Sequence, residues 1–409
     1  MRTDVIVHDV ASLRIDPAVL SRPDRDLALI TTPAHAARLR QRGRQDVFAH
    51  VVVLDAFDPG TLTDAVEGLR GTLPEGDRGT ISLLCHDEYS LELVAQVREK
   101  LGIAGDRPAQ LRVFVDKVVA KQALRAAGVR LPRHLRWDAA SYEADPSAYC
   151  AQVVDLVGLP AFAKPTNESG SVGTRRLDTA DQLHQWAAAG RDGAWEVDEF
   201  IDGTLFHVDT AWQDGVAVHV AVNEDVHPCY DYTAGRINGS VTLADDDPVA
   251  LRLRAFNARV LAALHDKPAR SVFHHEVFLT GDDVLVFLEI AARAPAALIP
   301  STSHIRYGFD IEEAHFRLQR GDTLAVPAAD GPYAAYVYFP KPAGTVGDLR
   351  PAVLRSSHRW TWNVAAGDRL EAATDIRDFA ASVLLWNTDL DALRDDLRLL
   401  DAHTPVQLA

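Results

Sequence analysis

Lysine is the rare cation of this 409-residue chain: only six of its 42 basic residues are lysine. An ammonium kept where guanidinium is the habit points to a local need, because Lys is a compact charge with rotatable donors and Arg a rigid planar fork. Cysteine is rarer still. Cys85, Cys150 and Cys229 are scattered, with no C-x-x-C, which argues against a disulfide framework and a cysteine-rich zinc site and suits reduced thiols in cytosol. No run approaches the roughly 18 apolar residues that span a bilayer. The first residues, Met1-Arg2-Thr3-Asp4-Val5, carry an acid where an export signal carries a long apolar core. A cytoplasmic chain with no membrane partner is therefore expected. Positive charge is also short overall: 58 acidic residues leave a net charge of −16, the wrong sign for a protein that binds nucleic acid by neutralising phosphates. What the chain does have is 47% hydrophobic content and enough length to bury a large core in two or three lobes.

Three stretches differ in pattern. Residues 1–112 alternate short β-branched runs, at residues 6–7, 28–30, 51–54 and 81–85, with helical segments such as residues 90–101. That alternation predicts βαβ units around a parallel sheet, an α/β domain. Residues 113–325 carry the motifs that bear chemistry, among mixed helices and hairpins. Residues 326–409 read as strands over 333–339, 361–364 and 382–386, with a closing helix over 390–400. Loop breaks are expected at residues 245–248 and 328–332, which are dense in Asp, Pro and Gly.

The most telling run is Lys164-Pro165-Thr166-Asn167-Glu168-Ser169-Gly170-Ser171-Val172-Gly173, which follows a predicted strand ending at Ala163. A Ser/Gly-rich turn lets backbone amides approach an anion, so the run suits phosphate. The lysine precedes the glycines, so this is not the G-x-x-x-x-G-K-[ST] loop, and a surface turn with an incidental lysine is the alternative. A second lysine, Lys117, opens a predicted helix between an N-cap Asp116 and a terminating Gly128. The helix dipole opposes a cation there, so Lys117 either faces an anion or lies solvated. Further on, Ser271–Leu279 and Val284–Arg293 read as a hairpin around Thr280-Gly281-Asp282-Asp283. If Leu279 faces Val284, Glu276 faces Phe287, and Glu276 and Glu289 become diagonal neighbours on one face with His274 and Arg293. Two carboxylates in apolar strands are costly unless paired or bound to a metal, and hard oxygen ligands suit Mg2+ shared with phosphates.

Asp116-Lys117 opening a helix, the strand into Lys164-Pro165 with its Ser/Gly loop, Asp198-Glu199-Phe200-Ile201-Asp202-Gly203, then Glu276 and Glu289 on a hairpin, together resemble the ATP-grasp superfamily over roughly residues 113–300. The resemblance implies an N-terminal parallel-sheet domain (1–112), a two-lobed ATP-grasp domain (113–325, lid lobe about 131–200) and a C-terminal β-rich subdomain (326–409) packed on it. It assigns Lys117 and Lys164 to the ATP phosphates and the loop Glu168, Ser169, Gly170, Ser171, Gly173 to a lid. Asp198, Glu199, Phe200 and Ile201 become an adenine-contacting hinge, with Leu288 as the floor under the base. Glu276 and Glu289 would hold Mg2+, or Mn2+ in its place, and Arg293 would neutralise phosphate or the acid substrate. The loop Tyr230–Arg236 resembles the substrate loop of D-alanine ligases and offers Arg236 to the γ-phosphate.

Three departures stand out. Ala291 replaces an Asn metal ligand that many members carry, Ala294-Pro295-Ala296 follows Arg293 where many ligases have Gly-Gly, and His207 or Asp209 stands in for a ribose-binding Glu. No nucleophilic G-x-S-x-G motif is present in this part of the chain, so the substrate's own carboxylate is the simplest nucleophile. The reading is an ATP-dependent carboxylate–amine ligase for small acids and amines, amino acids foremost, with a homodimer allowed for. A kinase or acid–thiol ligase, and a nucleotide-binding regulatory protein with reduced catalysis, are the alternatives.

Overall fold

The protein, here a computed structural model, is described at residues 2–10, 13–77, 80–191, 193–326 and 330–409. Residues 328–329 of the loop break expected at 328–332 lie outside the described residues. The β-branched runs near the start form a parallel sheet in the order His50–Val53, Arg25–Thr31, Arg2–His8, Ile81–Leu84. Its strands Arg2–His8, Arg25–Thr31 and Ile81–Leu84 are largely buried on both faces, as continuous apolar runs require, while His50–Val53 forms a more exposed edge. One face packs Leu62, Val66 and Leu69 of the helix Pro59–Thr72 and Val94 of Leu91–Lys100, while the other packs Leu39 and Phe316. Asp58 starts the first of these helices by accepting from the amides of Gly60 and Thr61. The sheet aims the loops after Thr31 and Leu84 at a shared cavity, the usual place for a ligand beyond the carboxyl ends of parallel strands.

A second, antiparallel sheet runs His134–Arg136, Trp195–Glu199, Ala161–Pro165, Arg175–Leu177. Its core is aromatic: Trp137 and Trp186 meet edge-on at 4.9 Å, and Val153, Leu177 and Leu183 close around them. Burying large side chains of this kind contributes about 1.5–3 kcal/mol each, enough to hold so small a unit around the strand that carries Lys164.

The third sheet has eight strands in the order Leu285–Ala291, Arg270–Thr280, Gly203–Gln213, Val216–Asp225, Asn238–Thr242, Tyr333–Pro340, Phe379–Asn387, Ser357–Trp362. The C-terminal strands thus extend the central sheet, and a separate three-stranded sheet (Arg369–Leu370, Gly344–Leu349, Val406–Leu408) flanks it. Gly203 is required at its position, since a Cβ there would meet the Leu279 carbonyl oxygen at 2.5 Å. Among the described residues no helix is long and apolar enough to cross a membrane.

The hairpin corrects the expected register. Leu279 pairs with Leu285, not Val284, so the turn is one residue longer than expected and by itself would set Glu276 against Leu288. A β-bulge at Leu288 supplies one more residue, and Glu276 comes to lie directly opposite Glu289. The bulge re-aims side chains in the way such insertions do. Phe287 and Ile290 keep to the core, while the adjacent Leu288 and Glu289 both reach the cavity.

Candidate active site

The three sheets meet around a cavity of about 640 Å³. Lys117, Lys164, Glu168, Ser169, Gly170, Ser171, Asp198, Glu199, Phe200, Ile201, His207, Glu276, Leu288, Glu289 and Arg293 all line it. Asp209, the alternative to His207, does not line it, and neither do Gly173 and Arg236. Gly173 turns away against Pro165 and Trp195. Arg236 is half-exposed and bound to His227 (2.7 Å) and Asp401 (3.0 Å) of the C-terminal helix, so its charge is engaged elsewhere.

Lys117 lies in the first turn of the helix Lys117–Leu124, whose N-cap Asp116 accepts from the amides of Val118 and Val119. It is buried, not solvated: its ammonium donates to the Glu168 carbonyl at 2.6 Å and lies 3.2 Å from Glu289. Burial alone would lower its pKa, but Glu289 and Glu88 outweigh that and the net shift is upward. Lys164, at the end of its strand, sits 3.2 Å from Asp198 and 3.5 Å from Glu196. Burial again pulls downward, Asp198 and Glu196 pull harder, and the lysine stays charged. Asp198 therefore uses its side chain to hold cations, which a hinge working through backbone groups does not require.

Sequence reasoning passed over Lys121 and Glu196, which complete this network. Lys121 is fully buried and donates to Glu196 (2.9 Å) and both Asp198 oxygens (2.7 and 2.6 Å). The signal was available: Lys117 and Lys121 are i, i+4 on one helix, and Glu196 and Asp198 are i, i+2 on one strand. Lys121→Met strands two buried carboxylates on Lys164 alone. Removing one partner of a buried ion pair costs about 3–5 kcal/mol, and a loss near the lower end is expected in urea unfolding of the variant.

The loop 168–173 holds positive φ at Gly170 (63°), Ser171 (59°) and Gly173 (72°), and its Glu168 to Ser171 border the cavity. Its Glu168 and Ser169 side chains meet the Tyr89 hydroxyl at 3.0 and 3.1 Å. In the stretch 198–201, the Glu199 carboxylate is taken by Arg130 and Arg133, and Phe200 lies under the Arg176 guanidinium at 4.3 Å. Leu288 joins Leu205, Phe278, Val286 and Ile201 in an apolar patch, a surface suited to a flat base.

At the carboxylate end, Glu289 is held down in pKa: burial raises it, and Lys117 and Lys164 lower it further. Arg293 is clamped by Glu88 at 2.5 and 2.7 Å, a partner 205 residues away that no local pattern could reveal. His207 lines the cavity, yet both its ring nitrogens are occupied, by Asp209 (2.9 Å) and Ser240 (3.2 Å). Asp209 also holds His274 at 2.7 Å, and His274 reaches Glu276 at 3.4 Å. The three ligand-bearing side chains His207, Asp209 and His274 thus satisfy one another. Burial would lower the His274 pKa, but Asp209 and Glu276 carry it up to about 10. His274 also pairs directly with Ala291, the position where an Asn was expected. Asp225, another residue the sequence did not single out, is pushed up to about 7 by burial and by Glu276 and Asp209, against the pull of His207 and His274.

No protein-family model matches this chain. It is 28% identical over 158 residues to the D-alanine–D-alanine ligase of Chlorobaculum parvum, covering 36% of this chain and 40% of that protein. It is 29% identical over 240 residues to that of Cupriavidus taiwanensis, covering 54% and 67%. The chain thus spans less than half the length of the first of these relatives. Among solved structures, an L-amino acid ligase from Bacillus licheniformis superposes with a TM-score of 0.74 at 14% identity, over 100% of this chain and 99% of that one. A carboxyaminoimidazole ribonucleotide synthase from Aspergillus clavatus, complexed with ATP, superposes with a TM-score of 0.67 at 15% identity, over 97% of each chain. The chain thus shares the fold of these ligases and synthases and a partial sequence similarity to D-alanine–D-alanine ligases.

Proposed function

We propose that the protein is an ATP-dependent ligase that joins the carboxylate of one small molecule to the amine of another, amino acids foremost, and releases ADP and phosphate. The observation that carries this reading is the convergence, across one cavity, of two buried lysines with two in-register carboxylates and Arg293. The donor set fits a nucleoside triphosphate. Lys117 and Lys164 offer ammonium groups to phosphate, the curled loop covers them, and Leu288 and its neighbours offer an apolar bed to the base. Glu276 and Glu289 are hard oxygen ligands of the kind Mg2+ or Mn2+ takes beside phosphates. A metal ion bound there supplies charge neutralisation as the γ-phosphoryl group moves.

The chain's own residues then have three tasks. Lys117 and Lys164 neutralise the phosphate oxygens, and a preorganised charge in a water-poor site counts for far more than the same charge in water. Arg293, kept in place by Glu88, orients the acid whose carboxylate oxygen attacks the γ-phosphorus and displaces ADP. The loop 168–173, tied to Tyr89, excludes water from the acyl phosphate so formed, until an amine nitrogen attacks its carbonyl carbon, loses a proton, and expels phosphate. The likenesses to D-alanine–D-alanine ligases and to an L-amino acid ligase support amino acids as substrates.

The test uses hydroxylamine as a surrogate amine. With a competent acid and Mg·ATP it is expected to give a hydroxamate, with one ADP per bond formed. AMP and pyrophosphate would place attack at the α-phosphorus and overturn the mechanism. A stable phosphorylated product that needs no amine would make the protein a kinase.

A further inference from the structure

Across the large sheet the cavity wall changes character from strand to strand. Leu288, Glu289 and Glu276 come from its first two strands, and Tyr336 and Tyr338 from its sixth. Asp225 ends the fourth. The register Asp225 to Ser240 to Tyr336 is continuous, so Asp225 stands two strands, about 10 Å, from Tyr336. The far wall is aromatic and apolar. Tyr338 and Phe379 stack at 4.2 Å with rings 6° apart, and Ile299 and Ile376 belong to the same cluster.

Tyr336 at this end donates to Asn238, but two other polar groups lack counterparts among the described residues. Among the described residues no hydrogen bond or ion pair engages the Asp225 carboxylate. The buried Tyr338 hydroxyl has no hydrogen-bond partner of ordinary geometry, and the Arg14 guanidinium, which makes no ion pair among the described residues, stands beside it. A carboxylate partly withdrawn from water and facing a cavity is favoured by a cation or donors, so the missing partners are expected from a ligand.

We infer that this end of the cavity binds the amine substrate as a free amino acid with a large apolar or aromatic side chain, its ammonium on Asp225, its carboxylate toward Arg14 and its side chain against Tyr338, Phe379 and Ile299. This rests on the ligase reading. One amino acid carries an ammonium, a carboxylate and a side chain, and the same cavity offers an acid in Asp225, a base in Arg14 and an apolar wall in Tyr338, Phe379 and Ile299. Asp225 is also the member of the set nearest Glu276, so the nitrogen it holds faces the end where the acyl phosphate forms. A charged side chain would have to be desolvated against Tyr338 and Phe379 without a partner.

The test is calorimetric titration of the full chain, loaded with Mg2+ and a non-hydrolysable ATP analogue, with phenylalanine, leucine, alanine, glutamate, N-acetylphenylalanine and phenylalanine amide. Phenylalanine or leucine is expected to bind at least about tenfold more tightly than alanine, the size of discrimination an apolar pocket provides. Glutamate, the N-acetyl derivative and the amide are each expected to lose about tenfold or more relative to phenylalanine. Asp225→Asn is expected to weaken phenylalanine by a similar factor, and Phe379→Ala to erase its advantage over alanine, with analogue affinity and melting temperature as checks on folding. In product analysis the apolar residue is expected to carry the free carboxylate. Tightest binding of alanine or glutamate, indifference to both substitutions, an apolar residue found only on the acyl side, or no amino-acid binding to nucleotide-loaded protein overturns the inference. The ligase reading fails separately, when amino acids bind as expected and neither hydroxamate nor ADP forms.

Discussion

Lys164→Ala is expected to lower kcat/KM by about 10²–10³-fold while the protein still folds. The first half follows from position. Lys164 is the buried cation just before the loop 168–173, and removing one preorganised donor from a charge-stabilising site costs about 10²–10³-fold. The second half follows from the network beneath it. Glu196 and Asp198 lose one of their two lysines, but Lys121 still holds both at 2.6–2.9 Å, so the stability lost is smaller than for Lys121→Met. The two substitutions therefore separate opposite quantities, activity at Lys164 and folding free energy at Lys121. A coupled ADP-release assay beside urea unfolding reads both. Near-normal turnover in Lys164→Ala would remove the loop from the phosphate site and leave the lysine a purely structural cation.

The scarcity of lysine was the best signal in the chain. Three of its six lysines converge on one network, and two of those were readable from their settings: Lys117 at a helix start and Lys164 at a strand end before a Ser/Gly loop. Lys121 was missed because mid-helix lysines are ordinarily solvated, and only its i, i+4 relation to Lys117 shows that it shares the inward face. The parallel N-terminal sheet was legible because its strands are continuous apolar runs. Two features depend on contacts distant in sequence and left no local trace. Glu88 meets Arg293 across 205 residues, and Arg236 is drawn to Asp401 in the closing helix. The bulge at Leu288 is a third case. No Gly, Pro or Asn marks it, yet without it Glu276 would oppose a leucine. The joining of the C-terminal strands to the central sheet was likewise not written in their alternation, which specifies a buried face and not a neighbour.

Glu289→Gln keeps the side chain's size and removes its charge, and it is expected to lower kcat/KM by about 10²–10³-fold at ordinary Mg2+ concentrations. Glu289 is one of two carboxylates brought directly opposite each other by the bulge, and it faces Lys117 at 3.2 Å. A neutral amide is a poor ligand for a hard dication and no counterion for the lysine, so both the metal and the phosphate cation lose a partner. Two readings of the same carboxylate diverge in a metal titration. If Glu289 is a metal ligand, the variant's apparent Mg2+ requirement rises and high Mg2+ or Mn2+ restores part of the activity. If it serves only as the counterion of Lys117, metal dependence is unchanged and the loss falls on stability and on the KM for ATP. Its lowered pKa, which Lys117 and Lys164 impose against the opposing effect of burial, keeps it ionised below the usual glutamate range. Loss of activity between about pH 7 and 6, where an ordinary His titrates, is therefore not expected to come from Glu289. The Gln variant should retain whatever acid limb the native enzyme shows across that interval, and disappearance of that limb in Glu289→Gln would mean that Glu289 itself titrates there and is not held as a permanent anion.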